Sequence, residues 1–375
     1  MRLAVFGLAL SSSWGNGHAV TYRALLRGWR QLGHHAVFYE QKQEWYQSNC
    51  DLPQPEFCEL RLLEGRDQAL AAARTAAHEA DAVLVGSFTP HAIPLLDLLL
   101  GAGGARIGFY DIDTPITLAA LKQGRCEYLR AGQIPALSAY LSFTGGPLLD
   151  ELARNYGARR AAPLYCSFDP DFYYPARAGE RFAATLVSDL SYMGTYSPDR
   201  QAKLRRLLLE PAARLPEQRF LVAGPLYADA PQWPPNVTHI VHLYPRDHRA
   251  LYAGSRYCLN LTRQAMVEAG YSPSIRLFEA AACGAAIISD PWPGLETFFQ
   301  PGIEILVAGE TRQVVEILRQ RDPLPRLRAA ARQRVLERHT GRRRAQELLA
   351  ALDAAAAPTG VRLPDSAPAA PARSG

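Results

Sequence analysis

The sequence contains few lysines and no strong excess of charge of either sign. Lysine occurs only at Lys42, Lys122 and Lys203, so nearly all of the basic residues are arginines, and the formal net charge is +5 over 375 residues. A charge this mild places little constraint on the choice of partner. It gives no support to a function in binding a polyanion.

Clustered cysteines are also absent. The sequence has no CxxC pair and no group of cysteine and histidine at the spacing of a metal site. The six cysteines are scattered, at Cys50, Cys58, Cys126, Cys166, Cys258 and Cys283. We therefore expect free thiols in a reduced, cytoplasmic protein, and we expect no bound metal or other resident cofactor.

Long apolar runs are missing as well. The first seven residues form a short, mostly apolar run that leads directly into a polar loop containing glycine, which predicts a first strand and neither a signal peptide nor a spanning helix. The stretch from Ala92 to Leu100 is too short to cross a bilayer, and Pro94 and Asp97 interrupt it. We predict no membrane span.

Arginine is concentrated near the C-terminal end, on a predicted amphipathic helix. The cluster consists of Arg326, Arg328, Arg332, Arg334, Arg338, Arg342, Arg343 and Arg344. No aromatic residues alternate with these arginines, as they would in a platform for stacked bases. The pattern favours a solvated helix face, so we expect no nucleic-acid partner and do not favour peripheral contact with acidic lipid.

The chain is long enough for two hydrophobic cores of about 150 to 200 residues each. Strands and helices alternate in both halves, which predicts an α/β protein with two doubly wound, Rossmann-like domains that face a central cleft. We place the N-terminal domain at residues 1–170 and the C-terminal domain at 183–355, with a polar connection between them. The composition of residues 356–375, rich in alanine and proline, predicts a disordered tail.

The segment 272–289 is the most informative part of the sequence. Ser272 and Ser274 are candidate N-caps for a helix over 275–283, which a glycine ends before a buried strand. This arrangement puts Glu279 on the first turns of a helix whose positive N-terminal end can face a diphosphate. Its carboxylate can accept two hydrogen bonds from ribose hydroxyls. The chemistry is that of a nucleotide site.

The unit resembles the donor-binding motif of two-domain glycosyltransferases of the GT-B architecture, and in particular the CgeB-like (spore maturation protein type) enzymes. The likeness covers roughly residues 1 to 350. It is carried by Asp111-Ile112-Asp113-Thr114-Pro115, Phe168-Asp169-Pro170-Asp171, Gly194-Thr195-Tyr196, Asn260-Leu261-Thr262-Arg263, Tyr271-Ser272-Pro273 and Arg276-Leu277-Phe278-Glu279.

The resemblance implies a donor domain at the C-terminal end, an acceptor domain at the N-terminal end, and a last helix that packs back on the N-terminal domain. The implied donor is a nucleotide-diphosphate sugar, uridine-linked, whose base lies along the segment around His242. Retaining enzymes of this architecture usually carry a second glutamate eight residues before the ribose-binding one, where this chain has Tyr271. The stereochemistry of transfer therefore stays open.

In doubly wound sheets, ligands bind beyond the carboxyl ends of the strands. On the acceptor side these loops contain Asn16 and Gly17, which open a helix and can offer amides to an anionic group, and His91. We predict that all three contact the acceptor. A tight turn and a surface histidine explain the same residues.

Asp111 and Asp113 follow a predicted strand at residues 106–110, and the alternation of side chains should direct both carboxylates to one side. Transfer to a hydroxyl requires a group that removes its proton; the candidates are Asp113, which we favour, His18 and Asp111. The alternative is that the aspartates cap the following helix. Asp111-Ile112-Asp113 has the letters of a metal-binding DxD motif but lies in the acceptor domain.

On the donor side, Gly194 and Tyr196 end a strand before a helix, where glycine would let backbone amides approach a diphosphate. Arg263 and Arg276 would neutralise the phosphate charge of the leaving nucleotide and so replace a metal. A surface salt bridge is the alternative for Arg276. Other residues predicted near the sugar, phosphates or base are Tyr271, Ser272 and His242.

Three hypotheses follow from these patterns. The first is a glycosyltransferase that acts on a hydroxyl-bearing acceptor. The second is a nucleotide-sugar epimerase of the same architecture, which would form product without an acceptor. The third is a non-enzymatic sensor of small ligands with two hinged lobes; such proteins usually carry a secretion signal, so the expected lack of one counts against it.

Overall fold

The structure is a computed structural model that describes residues 1–15, 17–227, 233–320 and 325–353. The predictions for Asn16 and for a tail at 356–375 fall outside the described residues. Among the described residues, no helix is long and apolar enough to cross a membrane.

The N-terminal domain is built on a seven-stranded parallel sheet with the order β3-β2-β1-β4-β5-β6-β7. Its strands are β1 (Arg2–Gly7), β2 (His35–Gln41), β3 (Glu59–Leu63), β4 (Ala82–Gly86), β5 (Arg106–Asp111), β6 (Ala139–Ser142) and β7 (Ala161–Pro163). Its helices are α1 (Gly17–Gln31), α2 (Glu44–Ser48), α3 (Gly65–Glu79), α4 (Ala92–Ala102), α5 (Thr114–Lys122) and α6 (Pro147–Tyr156).

The C-terminal domain contains a six-stranded parallel sheet with the order β10-β9-β8-β11-β12-β13. Its strands are β8 (Ser188–Met193), β9 (Phe220–Ala223), β10 (Val237–Ile240), β11 (Ser255–Asn260), β12 (Ala286–Ser289) and β13 (Leu306–Val307). Its helices are α7 (Pro198–Leu204), α8 (Glu210–Arg214), α9 (Pro245–Gly254), α10 (Gln264–Ala269), α11 (Ile275–Ala282), α12 (Leu295–Phe298), α13 (Thr311–Arg319), α14 (Pro325–Arg338) and α15 (Gly341–Asp353).

Both sheets reverse their strand order once, between β1 and β4 in the first domain and between β8 and β11 in the second. Loops that leave neighbouring strands at such a point turn to opposite faces of the sheet and open a crevice between them, where ligands bind in this class of fold. The crevices are formed by the loops after β1 and β4, and by the loops after β8 and β11.

The edge strand β3 was not predicted from the sequence. Of its five residues only Leu63 is buried, and the strand carries Glu59 and Arg61, so it lacks the apolar run typical of the inner parallel strands. It forms because the exposed edge of β2 offers it backbone partners in parallel register, from Val37 to Gln41.

The predicted long C-terminal helix is two helices in the structure, with a break at His339 and Thr340. There the amide of Phe168 donates to the His339 carbonyl at 3.3 Å, and the Gly341 amide donates to the Phe168 carbonyl at 3.0 Å. Beyond the break, α15 packs closely on α1: a Cβ on Gly341 would lie only 1.9 Å from the carbonyl oxygen of Ala24. The chain thus passes between the two domains at two adjacent places, near Phe168 and near His339.

Several arginines of the C-terminal cluster form hydrogen bonds and ion pairs within the protein. Arg328 donates to the carbonyl of Arg256 at 2.7 Å, Arg334 pairs with Glu304 at 3.0 Å, and the buried Arg344 donates to the carbonyl of Tyr165 at 2.9 Å. These side chains are engaged by the protein itself, while Arg326, Arg338, Arg342 and Arg343 are exposed.

Candidate functional site

The strand-end loops of the two domains contact each other. The hydroxyls of Thr144, after β6, and Ser272, before α11, lie 3.0 Å apart, and the amide of Gly145 donates to the carbonyl of Tyr271 at 3.0 Å. The helices α5 and α10 also meet. Loops at the carboxyl ends of both sheets therefore meet at the interface between the domains.

His18 and Asp113 form a pair on the N-terminal side of this site. Nε2 of His18 lies 4.0 Å from Oδ2 of Asp113, and the side chains are 14% and 26% exposed. Burial lowers the pKa of His18, and the nearby Asp113 charge opposes that shift only in part. The imidazole is therefore neutral at neutral pH, which is the form that accepts a proton.

Asp113 precedes α5 but its side chain makes no capping hydrogen bond to that helix. The alternative that this aspartate caps α5 therefore does not describe its carboxylate. The Asp113 side chain faces the imidazole of His18, near the start of α1. A carboxylate in this position stabilises and orients the protonated ring.

Asp111 does not share the direction of Asp113. It is 0% exposed, and its carboxylate accepts hydrogen bonds from the hydroxyls of Tyr140 at 2.5 Å and Thr117 at 2.7 Å. Burial raises the pKa of Asp111 to about 6, although these hydroxyls lower it. The strand alternation failed as a guide because β5 ends at Asp111 and the backbone of Asp113 (φ −129°, ψ 52°) has already turned.

The other described residues that were predicted to contact the acceptor are exposed. Gly17 is exposed and begins α1, and a Cβ there would meet no atom within 4 Å. His91 is exposed, with a left-handed backbone (φ 60°) before α4. Sequence reasoning missed Phe88, also left-handed (φ 60°), whose ring lies 5.7 Å from that of His18. Two such residues in one short loop mark a strained segment between β4 and α4.

Glu279 lies in the second turn of α11 and is 1% exposed. Its Oε2 accepts a hydrogen bond from the Tyr252 hydroxyl at 2.9 Å, whereas Oε1 has no partner that meets hydrogen-bond geometry among the described residues. Burial raises the pKa of Glu279 to about 7, against the opposing effects of Tyr173, Tyr252 and Arg276. The site thus holds a buried carboxylate with unused acceptor capacity.

Arg276 is buried and turned into the domain, so the alternative of a surface salt bridge does not hold. Its guanidinium donates to the Met193 carbonyl and, at 2.9 Å, to Oδ1 of Asn260, and lies over the Tyr192 ring at 4.9 Å. A Cβ on Gly194 would lie 2.9 Å from Nη2 of Arg276. The Gly194 amide itself donates to the Ala223 carbonyl, so this glycine makes room for the arginine and does not offer its amide to a ligand.

Two further arginines stand at the same strand ends. The Nε atoms of Arg200 and Arg263 are buried and have no hydrogen-bond partner among the described residues. Burial alone would raise the pKa of Asp199, but Ser197, the Gln264 amide and both arginines hold it below its ordinary value. Sequence reasoning missed Arg200; its signal was an arginine on the first turn of the helix that follows Gly194-Thr195-Tyr196.

Tyr196 and His242 occupy different parts of the C-terminal domain. Tyr196 makes an edge contact with Tyr227, with ring centroids 5.5 Å apart. His242 is half-buried against Tyr244, and its Nε2 has no hydrogen-bond partner among the described residues. Burial lowers the pKa of His242, against the charge of Asp51 from the N-terminal domain.

Tyr271 and Ser272 lie at the contact between the domains. Tyr271 has a left-handed backbone (φ 48°), and its ring passes between two glycines, where a Cβ would approach it to 2.3 Å at Gly146 and 2.6 Å at Gly294. The Ser272 hydroxyl is bonded to Thr144. These two residues hold the N-terminal loop against the start of α11.

Comparison with solved structures identifies the architecture as GT-B. The sucrose-phosphate synthase of Thermosynechococcus elongatus matches with a TM-score of 0.65 at 13% identity, over 95% of this chain and 100% of that one. The Anabaena protein HepE, solved with UDP-glucose, matches with a TM-score of 0.67 at 12% identity, over 94% and 100%. A trehalose-6-phosphate synthase gives 0.66 at 11% identity, over 94% and 99%.

The predicted fold class is therefore confirmed. In sequence, residues 200–350 match the family described as glycosyl transferase-like, which covers most of the C-terminal domain. None of the curated proteins compared with the chain matches it. The fold is thus that of GT-B glycosyltransferases, and the partial match in sequence is to a family described as glycosyl transferase-like.

Proposed function

We propose that this chain is a CgeB-like glycosyltransferase that moves a sugar from a nucleotide-diphosphate donor, uridine-linked, to a hydroxyl-bearing acceptor. One observation carries the proposal: the C-terminal domain carries, at its strand ends, a buried carboxylate with unused acceptor capacity and three guanidinium groups, and the N-terminal domain carries a neutral imidazole. Solved proteins of the same fold contain UDP or UDP-glucose. Binding of a nucleotide sugar requires a carboxylate that accepts from the ribose hydroxyls and cationic groups that neutralise the diphosphate.

In this proposal Glu279 accepts hydrogen bonds from the ribose, and the base lies along the segment of His242. Arg200 and Arg263 bind the diphosphate through Nε–H groups that have no hydrogen-bond partner among the described residues, and Arg276 supplies charge beside them. Guanidinium groups match phosphate oxygens in charge and geometry, which lets them act where a divalent metal would otherwise be needed.

The acceptor binds at the loops of Gly17, Phe88 and His91. Its hydroxyl gives its proton to His18 while its oxygen attacks the anomeric carbon of the donor sugar. The bond from that carbon to the diphosphate oxygen breaks, and the nucleoside diphosphate leaves with the electron pair. The arginines stabilise the charge that grows on the leaving group, and Asp113 stabilises the imidazolium of His18.

A binding panel followed by a product assay tests this function. A ligand at about 100 times its dissociation constant adds about 2.7 kcal/mol to folding stability, so thermal shifts with UDP, GDP, ADP and their sugar derivatives identify the donor class. We expect uridine nucleotides to give the largest shift, and release of UDP from the sugar nucleotide to require an acceptor and to persist in EDTA.

Other outcomes separate the alternatives. Conversion of the donor sugar without acceptor would indicate an epimerase. Stabilisation by small ligands other than nucleotides, without turnover, would indicate a sensor. No shift with any nucleotide would contradict the proposed donor site.

A further inference from the structure

Tyr173 lies in the connection between the two domains, five residues after Phe168, in a segment that the proposed reaction does not use. The connection is fixed on the N-terminal domain, because Oδ2 of Asp169 pairs with Nη1 of Arg27 at 2.9 Å. The Tyr173 amide donates to the Asp169 carbonyl at 3.0 Å. Its side chain nevertheless points into the C-terminal domain, where it is 4% exposed.

The Tyr173 hydroxyl stands between two groups of the donor site. It lies 3.3 Å from Nδ1 of His248. It is also close enough to the Glu279 carboxylate to lower the pKa of that group. Burial, and next the Glu279 charge, raise the pKa of Tyr173 well above its ordinary value, so the hydroxyl keeps its proton and acts as a donor.

His248 connects this hydroxyl to the segment that faces the base. Its Nε2 lies 3.0 Å from the carbonyl oxygen of Leu243, next to His242. Burial lowers the pKa of His248 to about 4, so the ring is neutral and carries one proton. A carbonyl oxygen can only accept, which places that proton on Nε2 and leaves Nδ1 as the acceptor for Tyr173.

The hydroxyl has a single proton and two possible acceptors, His248 Nδ1 and the Glu279 carboxylate. The Glu279 carboxylate accepts a hydrogen bond from Tyr252, and Tyr173 lies near enough to lower the pKa of that carboxyl. A ribose hydroxyl that donates to Glu279 would stabilise the carboxylate in place of Tyr173 and leave the Tyr173 proton for His248. The base segment and the ribose carboxylate thus share one hydrogen-bond donor.

We propose that Tyr173 is a positioning residue for nucleoside recognition, which holds the ribose carboxylate and, through His248, the base segment from a connection anchored on the N-terminal domain. This inference rests on the proposed function, because it assigns the ribose to Glu279. It gives the Phe168-Asp169-Pro170-Asp171 segment a role in donor binding beyond joining the domains.

The ionisable groups around Glu279 come from four parts of the chain. They are Tyr173 in the connection, Tyr252 on α9, Arg276 on α11 with Cys283 directly after that helix, and Cys166 after β7. Burial keeps the thiols protonated, since it raises the pKa of Cys166 to about 12 and that of Cys283 well above its ordinary value. Glu279 is therefore the group here that titrates near neutral pH.

The test is the affinity of the full chain for UDP between pH 6 and pH 9, measured by calorimetry for the wild type and Tyr173→Phe. Loss of the hydroxyl raises the pKa of Glu279 further, so more of the carboxyl is protonated at pH 7. We expect UDP to bind about fivefold more weakly at pH 7, with the deficit shrinking toward pH 9. Tyr174→Phe is the matched control, because the ring of Tyr174 stacks on Arg249.

If Tyr173→Phe binds UDP as tightly as the wild type, or more weakly by the same factor at every pH, the inference is overturned and the proposed function still stands. A wild type that binds none of UDP, GDP and ADP would contradict the proposed function instead. In that case the inference is tested by titrating the infrared band of the protonated Glu279 carboxyl, which the variant Glu279→Gln assigns. Its midpoint should lie at about 7 in the ligand-free wild type and higher in Tyr173→Phe, and equal midpoints would overturn the inference.

Discussion

The two crevices of this molecule share a topology but differ in how their polar groups are held. In the C-terminal crevice, Arg276 and Glu279 are buried on one short helix and fixed by contacts to β8, β11 and α9. In the N-terminal crevice, the His18 and Asp113 side chains stand partly exposed, beside a loop with two left-handed residues. The polar groups of the first crevice are thus held in fixed positions, whereas those of the second remain partly exposed to solvent.

Removal of the imidazole should have the largest effect on transfer while sparing donor binding. We expect His18→Ala to lower kcat by about 10² to 10⁴, since general base catalysis contributes a factor of that size. UDP affinity should stay within twofold of the wild type. Initial rates of UDP release with acceptor present measure the first quantity, and His78→Ala, on the exposed surface of α3, is the control. Full activity in His18→Ala would remove it as the base.

Arg200, which was not predicted from the sequence, should contribute to binding of the donor and not to the transfer step. Arg200→Ala removes a charge-assisted hydrogen bond to phosphate that we value at about 1.5 to 3 kcal/mol, which corresponds to a loss in UDP affinity of about 10- to 150-fold. Uridine, which lacks phosphates, should bind equally to both proteins. Arg214→Ala, an exposed arginine on α8, should leave both affinities unchanged. An equal loss for uridine and UDP would show that Arg200 only supports the fold.

The pH dependence should separate the two crevices. Glu279 must be ionised to accept ribose hydroxyls, so kcat/KM for the donor should fall as the pH drops through about 7. His18 must be neutral to accept a proton, and because its pKa is lowered, kcat at saturating donor should persist to below pH 6.5. Rate profiles at saturating acceptor measure both limits. A single common midpoint would mean that one group controls both steps.

The smallest effect should come from the contact that joins the domains outside both crevices. Gly341→Ala places a methyl group against the Ala24 carbonyl, and overpacking of this kind costs about 1 to 3 kcal/mol of unfolding free energy. Chemical denaturation measures the loss. Gly101→Ala in α4 is the control, since a Cβ there meets no atom within 4 Å. Equal stability of Gly341→Ala would show that α15 shifts freely on α1.

What the sequence predicted well depended on local patterns that the fold preserved. The glycine-terminated helix of Glu279 and the apolar strand after it are continuous segments whose periodicity sets their structure, and the structure has them as α11 and β12. The strand before Asp111 was predicted for the same reason. Alternation of buried strands with helices also predicted the two-domain α/β fold.

What it missed depended on contacts between distant segments. The direction of Asp111 is decided by Tyr140 and Thr117 after the strand has ended, and the role of Gly194 is decided by Arg276, which lies more than eighty positions further along the chain. The edge strand β3 has little apolar signal of its own and depends on its neighbour for backbone partners. Such features follow from packing, which local periodicity does not encode.

The division between the crevices is tested most directly by calorimetric titration of UDP into the wild type, Glu279→Ala and His18→Ala, with Glu268→Ala on the exposed face of α10 as the control. The account predicts that UDP binds the wild type, His18→Ala and Glu268→Ala alike, and that binding is lost in Glu279→Ala. Unchanged affinity in Glu279→Ala, or loss of affinity in His18→Ala, would contradict it.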